Sequence, residues 1–328
     1  MRYREFGNSG ISASEIGFGA WTIATDWWGK LNRGESLSLL QRALGLGITF
    51  FDTADTYGKG YSEELIGEAI RGRRGDVTIG TKFGYDIYSG PEPKGHQERV
   101  QNWDPAYIRH ALEESLRRLG TDYVDLYQLH NPRIGTVRDD AVFEQMERFV
   151  GEGKVRAYGA ALGPAIGWEE EGVAALRERG CRSVQTVYNL LEQDPGRTFF
   201  REASQAGAGV LVRVPLHSGL LEGIYGPDAK FAAGSHRAFR FREKPDWLED
   251  GLRKLAHLGF LTEGKNRTIA QAALKFILAE PTITSVLPTV TTVEQMEEFV
   301  AASDQAELTA EEMGLIADLY VSDFAAAA

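Results

Sequence analysis

Ile48-Thr49-Phe50-Phe51-Asp52-Thr53-Ala54-Asp55-Thr56-Tyr57-Gly58, followed by Ser62-Glu63, runs from a strand through a loop into a helix. Its first residues form the short apolar run of a buried strand, and Leu65, Ile66, Ala69 and Ile70 then fall at helical spacing. The join sets a carboxylate, Asp52, and a phenol, Tyr57, at one strand end, an arrangement suited to proton chemistry. A plain turn is the competing reading, with Asp52 as a cap and Tyr57 packed over the strand, because both residue types are ordinary in turns.

Two more strand ends bear on the choice. Val77-Thr78-Ile79-Gly80-Thr81-Lys82 ends in a lysine, a residue rarely buried without a partner. Tyr123-Val124-Asp125-Leu126-Tyr127-Gln128-Leu129-His130 ends in a histidine. Alone, Lys82 could be a solvated terminus and His130 a satisfied core imidazole. Successive strand ends carrying Asp/Tyr, Lys and His favour a shared site. Strand-like runs at 15–18, 49–51, 77–82, 124–129, 155–160, 184–187, 209–212 and 284–287 alternate with helical patterns. One helix start is explicit: Asp104-Pro105 precedes Ile108, Leu112, Leu116 and Leu119. The alternation predicts a single α/β domain over 1–328, a (β/α)8 TIM barrel with a C-terminal helical extension. Residues 2–6 and 11–14, around Gly7-Asn8-Ser9-Gly10, form an N-terminal β-hairpin in this reading. Active sites of such barrels gather at the carboxyl ends of the strands, so residues 52, 57, 82 and 130 should face one pocket.

Composition narrows the classes. The chain has 328 residues and a formal charge of −11, with no Lys/Arg block, which disfavours nucleic-acid binding. Cys181 is the single cysteine, so no intrachain disulfide can form. The charged start Met1-Arg2-Tyr3-Arg4-Glu5-Phe6 lacks a signal peptide's apolar core, and no apolar run nears the ~20 residues of a membrane span. A cytoplasmic location is the expectation. The six histidines are scattered and HExxH and CxxC are absent, so no metal is expected.

The chain resembles the aldo-keto reductase family. The resemblance rests on Asp52 to Gly58 with Ser62-Glu63, Thr81-Lys82, Ser115-Leu116-Arg117-Arg118-Leu119-Gly120-Thr121-Asp122-Tyr123-Val124-Asp125-Leu126-Tyr127 leading to His130, and Val184-Gln185-Thr186-Val187-Tyr188-Asn189-Leu190-Leu191. Pro215-Leu216, Gly219-Leu220-Leu221 and Ser285-Val286-Leu287-Pro288 continue it in family order over nearly the whole chain. It implies that the hairpin plugs the barrel's amino-terminal end. It also implies carbonyl reduction, or the reverse alcohol oxidation, with NADP(H) or NAD(H). Tyr57 would be the general acid, Lys82 would lower the Tyr57 pKa, Asp52 would keep Lys82 charged, and His130 would orient the substrate oxygen.

The same resemblance assigns cofactor contacts to Gly19, Ala20, Trp21, Asp52, Gln185, Arg213, Pro215, Leu216, Ser218, Gly219, Leu220, Pro288, Thr289, Thr292, Gln295 and Glu298. Gly17-Phe18-Gly19-Ala20-Trp21-Thr22 lacks the third glycine of a dinucleotide fingerprint, so the barrel itself must supply the cleft. Three departures from the family pattern stand out. Ala161 and Leu162 replace a usual Ser-Asn pair, Arg213 stands where many members carry a stacking aromatic, and Thr292 and Phe299 replace a basic residue and an Asn. The last departure shifts the expected preference from NADP toward NAD or dual use. Arg213 has several open roles: stacking, binding pyrophosphate or an anionic substrate, or a structural ion pair. The segment 222–245 is either a lid or a disordered excursion.

Trp21, Trp27, Trp28, Tyr57, Tyr85 and His130 are the candidate substrate contacts, and Trp103 is a further candidate for which packing is an equal alternative. The substrate is then a small carbonyl or alcohol, with oligomeric state left open. Two other readings compete: a cofactor-binding sensor or regulatory protein with weak catalysis, and a lyase using Lys82 as a Schiff base. The lyase reading conflicts with Asp52, which favours a protonated lysine.

Overall fold

Parallel strands need a crossover to return to the same end of a sheet, and here helices supply most of the returns. The computed structural model describes residues 1–89, 97–163 and 167–325. Strands β1 (Tyr3–Glu5) and β2 (Ser12–Ser14) pair antiparallel, with Tyr3 opposite Ser14. Then β3 (Phe18–Gly19), β4 (Phe50–Asp52), β5 (Thr78–Phe83), β6 (Val124–His130), β7 (Val155–Ala161), β8 (Ser183–Val187), β9 (Gly209–Arg213) and β10 (Ile283–Leu287) form one parallel sheet in chain order. Residues ahead of β3 close the ring. Gly17 N donates to Val286 O (2.9 Å), and Val286 N donates to Glu15 O (2.9 Å).

The expected first strand, 15–18, is therefore divided: residues 15–17 serve the closing seam, and only Phe18 and Gly19 pair with Phe51 and Asp52. Other strands extend one residue beyond expectation, ending on Asp52, Phe83, His130, Ala161 and Arg213, because each terminal residue still finds a ladder partner. Asp52 and His130 thus sit on strands, and their backbones are held by neighbours.

The Pro105–Leu119 helix shows how the outer layer is specified. Asp104 Oδ1 accepts from Ala106 N and Tyr107 N, Pro105 occupies the first turn, and Gly120 at φ 65° ends the helix. Its buried face, with Ile108, Ala111, Leu112, Leu116 and Leu119, packs into the large core between barrel and helices. At the other pole, Phe6, Ile11 and Ala13 pack inside the ring against Phe50, Leu126, Ala157, Leu211 and Leu287. Thr78 Oγ1 donates to Ser12 O (2.6 Å) and Thr284 Oγ1 to Glu5 O (3.1 Å), so the hairpin covers the strands' amino ends. The carboxyl ends remain for the site.

The segment 222–245 contains the helix His236–Glu243 and leads into the helix Trp247–Ala256. Its Tyr225 and Phe231 pack on a small core of Leu220, Trp247 and Leu248, residues that flank the segment on both sides. The Val293–Ala301 helix follows the eighth barrel strand, and the Ala310–Val321 helix forms the C-terminal extension. Among the described residues, no helix is long and apolar enough to cross a membrane.

Because Phe6 is 1% exposed and meets Phe50 edge-on at 5.5 Å, truncating it should leave a cavity in the plug. Phe6→Ala is expected to lower stability by about 3–5 kcal/mol, read from denaturant midpoints.

Candidate active site

Lys82 is 1% exposed, and its ammonium uses all three donors. Nζ donates to Asp52 Oδ2 (2.5 Å), Thr53 O (2.8 Å) and Tyr57 OH (3.1 Å). Asp52 Oδ1 accepts from Gln185 Nε2 (2.8 Å) and Gln128 Nε2 (3.2 Å). The strand ends of β4, β5, β6 and β8 are thereby tied to one carboxylate. His130 meets Tyr57 edge-on with ring centroids 6.0 Å apart, and Tyr85 braces the other side of the imidazole at 5.0 Å. All four expected residues come together.

The loop holding Tyr57 is built by short polar links. Thr53 Oγ1 donates to Ser62 Oγ (2.8 Å), which donates to Ala20 O (3.3 Å). Gly58, at φ 61°, allows the turn, and a Cβ there would lie 2.7 Å from Ala24 O. Glu63 is fully buried and accepts from Thr81 Oγ1 (2.6 Å) and Arg118 Nε (2.7 Å). The Ser62-Glu63 pair therefore stiffens the site from behind.

Electrostatics correct one expectation. Burial raises the Tyr57 pKa, and although Lys82 pulls it down, the net shift is upward. Lys82 is itself raised: burial opposes its charge, but Asp52 and then Tyr57 outweigh that cost. A protonated Lys82 has no free pair for a Schiff base, which argues against the lyase reading. Burial, with Lys82 and Arg213 nearby, holds His130 well below its ordinary value, so the imidazole is neutral.

These groups border a cavity of about 410 Å³. Of the expected contacts, Gly19, Trp21, Trp27, Trp28, Asp52, Tyr57, His130, Gln185, Arg213, Ser218, Pro288 and Thr289 line it. Lys82 lies behind Tyr57. Ala20, Leu216 and Leu220 are buried, and Leu220 packs on Trp247 and Leu248, so their side chains serve the core. Tyr85 supports the site, donating to Glu98 Oε1 (2.6 Å) and accepting from Asn131 Nδ2 (2.7 Å). Trp103 packs edge-on against Phe83 at 5.7 Å.

Sequence reasoning missed Asn131, Glu192, His236, Phe239 and Arg240, which also line the cavity. His236, Phe239 and Arg240 follow i, i+3, i+4 spacing, a signal for one helix face, but nothing local says what that face meets. His236 N donates to Trp27 O (2.9 Å), and its ring stacks on Trp28 at 5.0 Å. Arg240 Nη2 donates to Glu192 Oε1 (2.7 Å), and His217 Nδ1 lies 3.0 Å from Glu192 Oε2. Burial opposes the Glu192 charge, but His217, Arg240 and Asn189 together overcome it and hold this carboxyl below its ordinary range.

The fit of a nicotinamide cofactor can be judged from polar atoms. Within the described structure, Arg213 Nε, His130 Nδ1 and Trp28 Nε1 are shielded from solvent without a hydrogen-bond partner. After β9, Val214 (φ 55°), His217 (φ 48°), Ser218 (φ 60°) and Gly219 (φ 96°) all adopt left-handed backbone. For a β-branched valine this costs on the order of 1–3 kcal/mol, and successive amides in such a turn suit a phosphate. Farther along, Thr292 Oγ1 caps its helix, accepting from Gln295 N (3.2 Å). Gln295 Nε2 donates to Glu222 Oε2 (2.9 Å), and Glu298 Oε1 accepts from Thr268 Oγ1 (2.6 Å). Thr292, Gln295 and Glu298 thus have structural partners, and Phe299 is in the core. Among the described residues, no group of three or more His, Cys, Asp or Glu side chains could hold a metal ion.

Comparison with known proteins agrees with this arrangement. The model of the Aldo/keto reductase family matches residues 15–321. An uncharacterised oxidoreductase of Bacillus subtilis, YqkF, is 30% identical, over 95% of this chain and 94% of its own length. A probable voltage-gated potassium channel subunit beta of Arabidopsis thaliana is 31% identical over 93% and 92%. The holo form of the Bacillus halodurans aldo-keto reductase AKR11C1 superposes with a TM-score of 0.77 at 28% identity, covering 97% and 96% of the two chains.

One buried acid lies outside the hydrogen-bonded set. Asp55 is fully buried, neither carboxylate oxygen has a partner within the described residues, and only its backbone N–H reaches Lys82 O (3.2 Å). Burial, followed by the neighbouring Glu63, raises its pKa well above the ordinary value. The folded chain therefore keeps a proton that the unfolded chain releases above pH ~3.9, and stability falls as pH rises toward the folded pKa. Asp55→Asn removes this penalty. The variant should gain stability at pH 8 relative to pH 5, by at most ~1.4 kcal/mol per pH unit, measured by denaturant titration at both values.

Proposed function

Because the chain belongs to the aldo/keto reductase family, we propose that it is a nicotinamide-dependent oxidoreductase that reduces an aldehyde, ketone or sugar carbonyl to an alcohol, or runs the reverse reaction. The observation that carries this reading is the buried Lys82 ammonium, 3.1 Å from the Tyr57 hydroxyl and fixed by Asp52. A bound reduced nicotinamide supplies the hydride.

Tyr57 supplies the proton. Its raised pKa keeps the phenol protonated at neutral pH, and Lys82 stabilises the phenolate left after transfer. His130, neutral, offers a hydrogen bond to the substrate oxygen without competing as an acid. Asp52 keeps Lys82 charged, while Gln128 and Gln185 hold Asp52 in place. In the oxidative direction Tyr57 must first lose its proton, so oxidation should speed up with rising pH. Trp21, Trp27, Trp28 and Phe239 give the entrance an aromatic wall suited to the apolar face of a carbonyl compound or sugar ring.

For the cofactor, Gln185 and Arg213 would face the nicotinamide end, and the left-handed turn through Ser218 and Gly219 the diphosphate. Glu222 beside Gln295 supports a preference for NAD(H), because a carboxyl there disfavours a 2′-phosphate. Tighter binding of NADPH than of NADH in direct titration would refute that preference.

A second reading, a cofactor-binding sensor with weak catalysis, draws on Ala161 and Leu162 and on the likeness to proteins named as channel subunits. Purified protein offered a carbonyl panel separates the two. Oxidation of the reduced cofactor supports the enzyme, and tight binding without turnover supports the sensor. Tyr57→Phe should lower turnover by about 10²–10⁴-fold while cofactor affinity is retained.

A further inference from the structure

Behind the roof of the active site lies a second cavity. It has a volume of about 510 Å³, a size that suits a small organic molecule, and its walls include Glu192, His217, Arg240, Lys244, Trp247 and Tyr320. Among the described residues it shares only Glu192 and Arg240 with the active-site cavity. The ion pair between these two (2.7 Å) therefore stands as a partition. One wall is a continuous strip. Arg240, Lys244, Trp247, Gly251 and Lys254 recur every three or four residues, and all five line the cavity. Lys244 N donates to Arg240 O (2.9 Å) and Trp247 N to Lys244 O (3.0 Å), which carries the strip across the junction between the helices His236–Glu243 and Trp247–Ala256.

Hydrogen-bonding capacity decides what this cavity can hold. Its inner acceptors are used. Glu192 Oε1 accepts from Arg240 Nη2, and Glu192 Oε2 accepts from Asn189 Nδ2 (2.9 Å) with His217 Nδ1 at 3.0 Å. Asp250 meets Arg253 Nη2 (2.6 Å) and Lys254 Nζ (3.0 Å). Donors are left over. Arg240 Nε and Trp247 Nε1 are shielded from water and have no acceptor among the described residues, although Trp247 is only 5% exposed. The Tyr320 hydroxyl accepts from Gln193 N (3.1 Å) and Asp194 N (3.3 Å), and within the described structure its own proton has no acceptor. At the rim Lys244 adds an exposed ammonium, opposed by the exposed carboxylate of Asp246, which makes no side-chain bond to the helix it starts. Unmet donors beside a cavity are costly, and a ligand rich in acceptors offsets that cost.

We propose that the second cavity binds a small carboxylate or phosphate through Arg240, Trp247, Tyr320 and Lys244, and that its occupant fastens the His236–Glu243 helix over the active site. Glu192 keeps Arg240 Nη2 while the ligand takes Nε, so the guanidinium is gripped from both sides of the partition. His236 and Phe239, on the same helix, line the active-site cavity, so whatever holds Arg240 also steadies them. Such a site would serve the chain whether or not Tyr57 turns a substrate over.

Calorimetric titration of the full chain with citrate and with inorganic phosphate, at fixed ionic strength, tests this in wild type, Trp247→Phe, Lys244→Gln and Asp246→Asn. At least one anion should bind the wild type, and the tighter of the two gives the class, carboxylate or phosphoryl. Trp247→Phe keeps the ring and removes the N–H, and should weaken binding by ~10-fold or more. Lys244→Gln and Asp246→Asn alter exposed side chains outside the active-site cavity, so the fold is not at stake in them. They should act in opposite directions, the first weakening and the second tightening the anion by up to ~5-fold each. Bound anion should also slow amide hydrogen exchange across residues 236–243. Absence of binding to the wild type, binding that Lys244→Gln and Asp246→Asn leave unchanged, or exchange across 236–243 that ignores the bound anion would overturn the proposal.

Discussion

A lysine ammonium with 1% exposure cannot stay charged unless every proton finds an acceptor, and the carboxyl end of the barrel is organised around that demand. Lys82 meets it with Asp52, the Thr53 carbonyl and the Tyr57 hydroxyl. The arrangement needs β4 and β5 in register, with Asp52 opposite Gly80, and it needs a loop that returns Tyr57 above the strand end. Gly58, Thr53 and Ser62 make that loop. Losing one member of such a buried pair typically costs about 3–5 kcal/mol, because the other charge is stranded. The proposed chemistry and the local stability therefore rest on the same bonds.

Closure at the two poles follows from different physics. The hairpin seals the amino end with apolar residues inside the ring, and Phe6 against Phe50 is its centre. The carboxyl pole stays polar and is roofed by the segment carrying the His236–Glu243 helix. That roof is pinned by His236 to Trp27 and Trp28 and by Arg240 to Glu192. A cavity with a charged floor and an aromatic rim results, which suits a polar reacting group on an otherwise apolar body.

The proposed proton-handling groups and the proposed cofactor-facing groups depart from the family pattern to different degrees. Asp52, Tyr57, Lys82 and His130 form one bonded cluster. Along the proposed cofactor path, Ala161, Leu162, Arg213, Thr292 and Phe299 all differ from the usual residues.

The barrel was legible in the sequence because strand and helix periods are local properties. The runs ending at Lys82 and His130, and the cap at Asp104, identify themselves. Tyr57, Asp52, Lys82 and His130 could be grouped for the same reason: a barrel brings successive strand ends together. The division of residues 15–18 between seam and sheet was not legible, since it depends on β10, far away in the chain. Nor were His236, Phe239 and Arg240 as cavity residues, because a helix face does not name its partner. The direction of the Tyr57 shift escaped as well. Sequence supplied the neighbouring ammonium, but the depth of burial that outweighs it is a property of the packed whole. Residue types and their order along the chain determined the fold and the grouping of Asp52, Tyr57, Lys82 and His130. Tertiary structure alone decided which charges are matched, how deeply each is buried and what roofs the cavity, because desolvation and Coulomb forces depend on distances through space.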